Sequence, residues 1–355
     1  MGEDAGLGDI RLRDYLPRAA IRRPLTDPIS SRPPLIDAHN HLGRWLTGGW
    51  AAPDVGALLE TMQACGIDAI VNLDGMWGAE LDANLERYDR AHPGRFATCA
   101  QWDRALFAAG DWAGLGAQIA DAAARGARGL KVWKDLGLHL RDEAGALVMP
   151  DDSRLDPVWD ACTAAAIPVT IHTADPIAFF DPLDRHNERL EELQANPDWW
   201  FGDRERFPSF NRLMETLEAL IARRTDVTFV GAHVLCAAED LAWVGRMLDT
   251  YANAHADIAA RIGELGRVPR AARELIVRHP DRFLFGTDAF PPEPAVYQVH
   301  RRFLQTPDEQ FPYDPWDEEP PGQGRWAISG LDLPAEVLAQ VCAGNARRIV
   351  LGLGP

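Results

Sequence analysis

Leu35-Ile36-Asp37-Ala38-His39-Asn40-His41-Leu42 opens with apolar residues suited to a buried strand, then delivers an acid and two histidines. A strand alternates faces with period two, so His39 and His41 point the same way and Asn40 the other. Two imidazoles on one face of a strand end can grip one divalent cation. Three further signals follow downstream: His172 in IPVTIHTAD, His233 in VTFVGAHVL and Asp288 in RFLFGTDAF. Each ends an apolar, strand-like run.

Outward from that stretch the chain alternates. Strand-like runs fall at 35–42, 69–73, 96–101, 129–134, 168–173, 227–233, 256–259 and 282–286. Helical patterns lie between them, near 54–64, 81–92, 113–124, 157–166, 212–223, 239–251 and 269–278, with a last one at 334–350. Eight alternations predict a parallel sheet, and eight strands close a barrel. The expected fold is therefore α/β, a single (β/α)8 TIM barrel over 35–355, preceded by an Arg- and Pro-rich arm at 1–34. A chain of 355 residues suits one such domain.

Two connections exceed the usual few residues: 174–210 after strand five and 289–333 after strand eight. Both leave the C-terminal ends of strands, where such barrels build their sites. They are rich in aromatics, among them Phe179, Trp199, Phe201, Phe290, Tyr313 and Trp316. Walls or lids of a pocket are one reading; packing of the insertions on each other, or a subunit interface, is the other.

Composition narrows the partners. With 36 basic and 53 acidic residues the net charge is −17, which argues against nucleic acid and anionic membranes. The first residues lack the apolar core of a signal peptide, and Gly6 breaks the myristoylation pattern. No run approaches the roughly 20 apolar residues of a membrane span. Cys65, Cys99, Cys162, Cys236 and Cys342 are odd in number, widely spaced and without a CxxC pair. They read as buried free thiols of a cytoplasmic protein.

The order HxH, His, His, Asp on this alternation resembles the amidohydrolase superfamily. The match is to its amidohydrolase-related branch, which holds aromatic-acid decarboxylases beside hydrolases. Gly286-Thr287-Asp288 and the GNARRI stretch at 344–349 also fit that branch. The resemblance implies a divalent metal held by His39, His41, His172 and Asp288, with one or two ions per chain. Imidazole and carboxylate donors suit Zn²⁺, and Mn²⁺ or Fe²⁺ less specifically. Asp288 would both touch the metal and hold the proton of its water, whose pKa such an ion lowers to about 7. His233 would polarise the substrate or bind a second metal. In some relatives a strand-four lysine is carbamylated and bridges two metals, and GLKVWK puts Lys131 in such a strand. A plain charged role and a structural role stay open for it, and Lys134 competes with opposite parity.

Other candidates come from the residues themselves. Arg185 and Arg261 could clamp a substrate carboxylate in two-point fashion, or form ion pairs within the insertions. Trp133 is a further substrate-binding candidate. Asp37 would orient a metal-binding histidine from behind. His139, His186, His255 and His300 lie in polar contexts that suit solvated or local roles. The expected activity is metal-dependent hydrolysis of a C–N or C–O bond in a small polar molecule. The runner-up is non-oxidative decarboxylation of an aromatic or unsaturated acid. A binding protein without catalysis is disfavoured because every core ligand is present. A small-molecule partner is expected, and the resemblance is compatible with a homodimer.

Overall fold

The computed structural model describes residues 33–316 and 322–352, with positions 10–11, 14–15, 20 and 26 before them. The expected arm at 1–34 and part of the second insertion thus fall largely or partly outside the described residues. Eight strands follow: β1 Leu35–Asn40, β2 Ile67–Asn72, β3 Phe96–Thr98, β4 Leu130–Val132, β5 Val169–Ile171, β6 Phe229–Gly231, β7 Ala254–Asp257 and β8 Phe283–Leu284. Neighbours pair in parallel, in the orders β1-β2-β3 and β4-β5-β6-β7-β8.

Individual bonds cross the two seams between these sheets. Lys131 N donates to Ala100 O at 2.8 Å, joining β4 to the chain just past β3. Ala38 N donates to Phe285 O at 2.9 Å, joining β1 to the end of β8. The strands therefore follow one another around a ring, as a (β/α)8 barrel requires.

Six of the eight strands are shorter than the sequence suggests, and β7 lies two residues earlier. Side-chain acceptors explain part of this. Asp37 and Asn40 accept from the backbone N–H groups of His39 and His41, at 3.3 and 2.9 Å. Those donors are diverted from the ladder, and the β1–β2 register shifts between Asp37 and Asn40. Close approach matters at β8. A Cβ on Gly286 would meet the His39 Cβ at 2.8 Å, so only glycine lets the last strand pass the first here.

Most helices lie where the apolar spacing puts them. Val55–Cys65 starts at Asp54, which accepts from Ala57 N, and ends at Gly66 in the left-handed region with φ 67°. Pro269–Arg278 coincides with its expected range. The last helix is broken into Ala335–Ala339, a wide turn at Gln340–Gly344, and Asn345–Ile349. The longest helix not foreseen is Pro294–Gln305 inside the second insertion, burying Val296, Tyr297, His300, Phe303 and Leu304; the short helices Arg104–Ala108 and Leu190–Ala195 were not foreseen either. All five cysteines are buried. Among the described residues no helix is long and apolar enough to cross a membrane.

Candidate active site

The first strand delivers His39 and His41 to the C-terminal mouth, both buried. Each ring is fixed from behind by a carboxylate, from the end of β7 for His39 and from just past β2 for His41. His39 Nδ1 meets Asp257 Oδ2 at 2.8 Å, and His41 Nδ1 meets Asp74 Oδ1 at 2.8 Å. His233 Nδ1 donates to the Ala259 carbonyl at 2.9 Å. Carboxylate and carbonyl oxygens only accept, so Nδ1 carries a proton on each ring, and in a neutral ring Nε2 keeps the lone pair.

Those Nε2 atoms surround one carboxylate. Asp288 Oδ1 lies 3.1 Å from His41 Nε2 and 3.6 Å from His39 Nε2, and Oδ2 lies 4.0 Å from His233 Nε2. The ligand atoms of His39, His233 and Asp288 all fall within 4.8 Å of one another. Two backbone segments hold this group in unusual conformations. Asp288 has φ 62°, and His233, Val234, Leu235 and Cys236 have φ between 56° and 60°. Left-handed L-residues cost about 1–2 kcal/mol each. Native contacts must hold them there. His233 N donates to Asp257 Oδ1 at 2.8 Å and Asp288 N to His39 O at 2.9 Å.

Electrostatics follow from burial. Desolvation, then the nearby Lys131, holds His39 well below the usual histidine range. Desolvation, then His172, does the same for His233. For His41 desolvation is outweighed by Asp74 and Asp288, and its pKa rises to about 9. Desolvation opposes ionisation of Asp288, but the surrounding imidazoles win and hold it well below the usual carboxylate range. The result is an ionised oxygen donor among neutral nitrogen donors, with His41 the exception.

The other sequence candidates divide. Lys131 is buried and its Nζ lies 3.4 Å from His39 Nε2; desolvation lowers its pKa. Lys134 instead reaches the cavity and pairs with Asp175. His172 packs against His233 at 4.4 Å between ring centroids, but its Nε2 faces Asp175 Oδ1 at 3.2 Å. Trp133 stacks on His41 with centroids 5.0 Å apart. Arg261 is buried in the cavity wall, and its Nη1 donates to the Ala260 carbonyl at 2.8 Å.

Two expectations are corrected. Arg185 is exposed, outside the cavity lining, and its Nε bonds to its neighbour His186. The turn that carries it runs along the surface. Asp37 does not stand behind a ring. It accepts from Thr287 N, Thr287 Oγ1 and Tyr297 OH at 3.0, 2.6 and 2.8 Å, pinning β1 to the chain after β8. His255 and His300 are buried, and His300 has a local role, its Nδ1 donating to the Val296 carbonyl at 2.9 Å. Asp74, Asp175 and Asp257 were missed. Their signal was an acid at the end of an apolar run, in NLDG, HTAD and HAD.

His39, His41, His172, His233, Arg261 and Asp288 share a cavity of about 580 Å³ at the mouth. Both insertions contribute to its walls: Pro176, Phe179 and Trp199 from the first, Phe290 and Gln323 from the second. Trp45 packs on Trp133 at 4.6 Å between ring centroids and extends the aromatic wall.

Comparisons with known proteins agree with this architecture. The family model for amidohydrolases matches residues 36–351. The fold is similar to that of 5-carboxyvanillate decarboxylase from Sphingomonas paucimobilis (15% identity, TM-score 0.53, 90% of this chain and 99% of that one). It is similar to a dihydroxybenzoic acid decarboxylase from a Polaromonas species with bound manganese (12%, TM-score 0.52, 90% and 97%). It is also similar to a zinc-bound amidohydrolase from Burkholderia multivorans (15%, TM-score 0.50, 90% and 99%). Among curated proteins, none matches the chain significantly.

Proposed function

This chain belongs to the amidohydrolase family, and from that premise we propose that it is a metal-dependent hydrolase cleaving a C–N or C–O bond of a small carboxylate-bearing molecule. One observation carries the reading: the ionised Asp288 carboxylate amid Nε2 atoms whose rings are locked from behind. The donor set fits a divalent ion, because the nitrogens of His39 and His233 are neutral and the oxygen is charged. Zinc suits such donors best, with manganese or iron as alternatives. A bound ion of this kind supplies Lewis acidity and acidifies water.

The chain's own residues do the rest. His39, His41 and His233 would hold the ion, with His172 beside them. Asp288 takes the proton of the attacking water and returns it to the leaving atom. Arg261 docks the substrate carboxylate through its guanidinium. Trp133, Trp45 and Phe290 cover the reacting centre and exclude bulk water.

A second reading is non-oxidative decarboxylation, favoured by the flat aromatic walls at Trp45, Trp133, Phe179 and Trp199. There Asp288 would deliver a proton to carbon. A panel of esters, lactones, amides and aromatic acids, assayed for acid release and for CO₂, separates the two. CO₂ release without hydrolysis of any panel member would overturn the first reading. The metal-to-chain ratio settles Lys131. Two ions with a carbamate on Nζ would make it a bridge; one ion with a plain ammonium would make it a fixed cation beside His39.

A further inference from the structure

Three lysine and arginine side chains line the cavity at the mouth: Arg104, Lys134 and Arg261. Arg104 pairs with Asp135 at 2.8 Å, and Lys134 pairs with Asp175. Among the described residues no carboxylate pairs with Arg261, whose Nη1 holds the carbonyl of the residue before it. Its direction therefore follows the backbone of its own turn. That turn begins at Ala260 with φ 53°, a conformation L-residues adopt at a cost and which neighbours must support.

Part of that support comes from Arg189 in the first insertion, 1% exposed and outside the cavity lining. Its Nη2 pairs with Glu264 in the short turn Ile262–Leu265, which starts directly after Arg261. Its Nη1 donates to Glu192 Oε2 at 2.7 Å. Its guanidinium lies 5.2 Å from the centre of the Trp326 ring, which also carries Arg267 at 4.4 Å. Glu192 lines the same cavity as Arg261. Desolvation raises the pKa of Glu192; the charge of Arg189, and after it that of Arg261, opposes the rise. A carboxylate so placed is costly to leave without a cation. With Arg189 gone, the cation left to satisfy Glu192 would be Arg261.

We propose that Arg189 is a positioning residue that keeps Arg261 free for the substrate. By engaging Glu192 and Glu264 together it anchors the turn behind Arg261 and stops Glu192 from capturing that guanidinium. The mouth then presents one cation with no acid of its own, prepared in advance for a carboxylate. It should prefer an anionic ligand to a neutral one of the same shape. The proposal rests on the docking role given to Arg261 above, and on neither hydrolysis nor decarboxylation.

Binding tests it without turnover. Benzoate and its neutral isostere benzamide are titrated into the metal-loaded full chain by ligand-observed NMR. The wild type is expected to bind benzoate about tenfold tighter than benzamide, the worth of a charged hydrogen bond. Arg261→Met should erase that preference. Arg189→Met should erase it too, although Arg261 is intact, with benzamide affinity and metal content unchanged. Adding Glu192→Gln to Arg189→Met should restore it, which a general loss of packing would not allow. In the Arg261→Met background Arg189→Met should cost nothing further. If Arg189→Met does not fold, Arg189→Lys serves: it keeps the charge but cannot fork to two carboxylates, so a smaller loss relieved by Glu192→Gln is expected. An undiminished preference in the Arg189 variant, or a loss that Glu192→Gln does not relieve, overturns the proposal. Failure of the docking role shows separately, as benzoate binding that Arg261→Met leaves unchanged, and it would take the proposal with it.

Discussion

Two cavities of comparable size lie at opposite ends of the barrel. One, of about 660 Å³, sits by the N-terminal ends of β4 and β5, against 126–128 and 164–167. The other, of about 580 Å³, is the mouth that holds His39, His41, His233 and Asp288. The lower one is walled largely by alanines, with Arg128 and Arg348 as its charged residues. Among its described lining residues it has no imidazole and no carboxylate. The mouth gathers both, with aromatic walls. Volume alone therefore says little about function. What distinguishes a site is convergence of polar groups whose orientation is already fixed.

That contrast can be broken by experiment. The largest effect is expected from His39→Ala with His41→Ala. Stoichiometric metal and turnover should both vanish, and metal analysis showing full retention would remove the mouth from consideration. Asp288→Asn should lower kcat by about 10²–10⁴-fold, the range of general acid–base groups, while the histidines keep the metal. Wild-type turnover in that variant would end the proposed proton role. Asp257→Asn and Asp74→Asn leave the ligands in place but loosen their rings. Metal affinity should fall about 10–100-fold, measured by competition with a chelator. Arg261→Met should raise KM by about 10–100-fold, the worth of a charged hydrogen bond, with kcat little changed. The smallest effect is assigned to the lower cavity. Ala164 is exposed there, so Ala164→Leu should leave kcat/KM unchanged and shift stability by no more than about 0.5 kcal/mol. A clear loss of activity would show that the lower cavity has a role.

Part of this was legible from residue order. The barrel showed in the alternation of short apolar runs with helical periods. His39, His41, His233 and Asp288 showed because each directly follows such a run. The supports behind them did not. Asp257 lies within a strand and Asp74 just after one, and nothing local says which ring either will meet. That pairing depends on which strands become neighbours. Arg185 and Arg261 were both candidates as sequence, but Arg261 lies four residues past β7, at the mouth, and Arg185 fourteen past β5. Helix Pro294–Gln305 was hidden because the whole stretch after β8 was read as one irregular loop. Its proline at the first turn is nonetheless an ordinary helix start. His300 went with it, since a polar neighbourhood in sequence became an apolar one once that helix packed.

The seam between β8 and β1 carries a consequence in time. His39 stands near the start of the ring and Asp288 near its end, and they are brought together by bonds such as Ala38 N to Phe285 O and Asp288 N to His39 O. Contacts so distant along the chain close late in folding. During synthesis nearly the whole barrel must emerge before the donor set exists, so metal uptake should mark completion of the barrel. In the mature protein the ion would act as a clasp on that closure. Chelation should then speed amide hydrogen exchange at Ala38 and Asp288 well before it does so at Val71, inside the continuous β1-β2-β3 sheet.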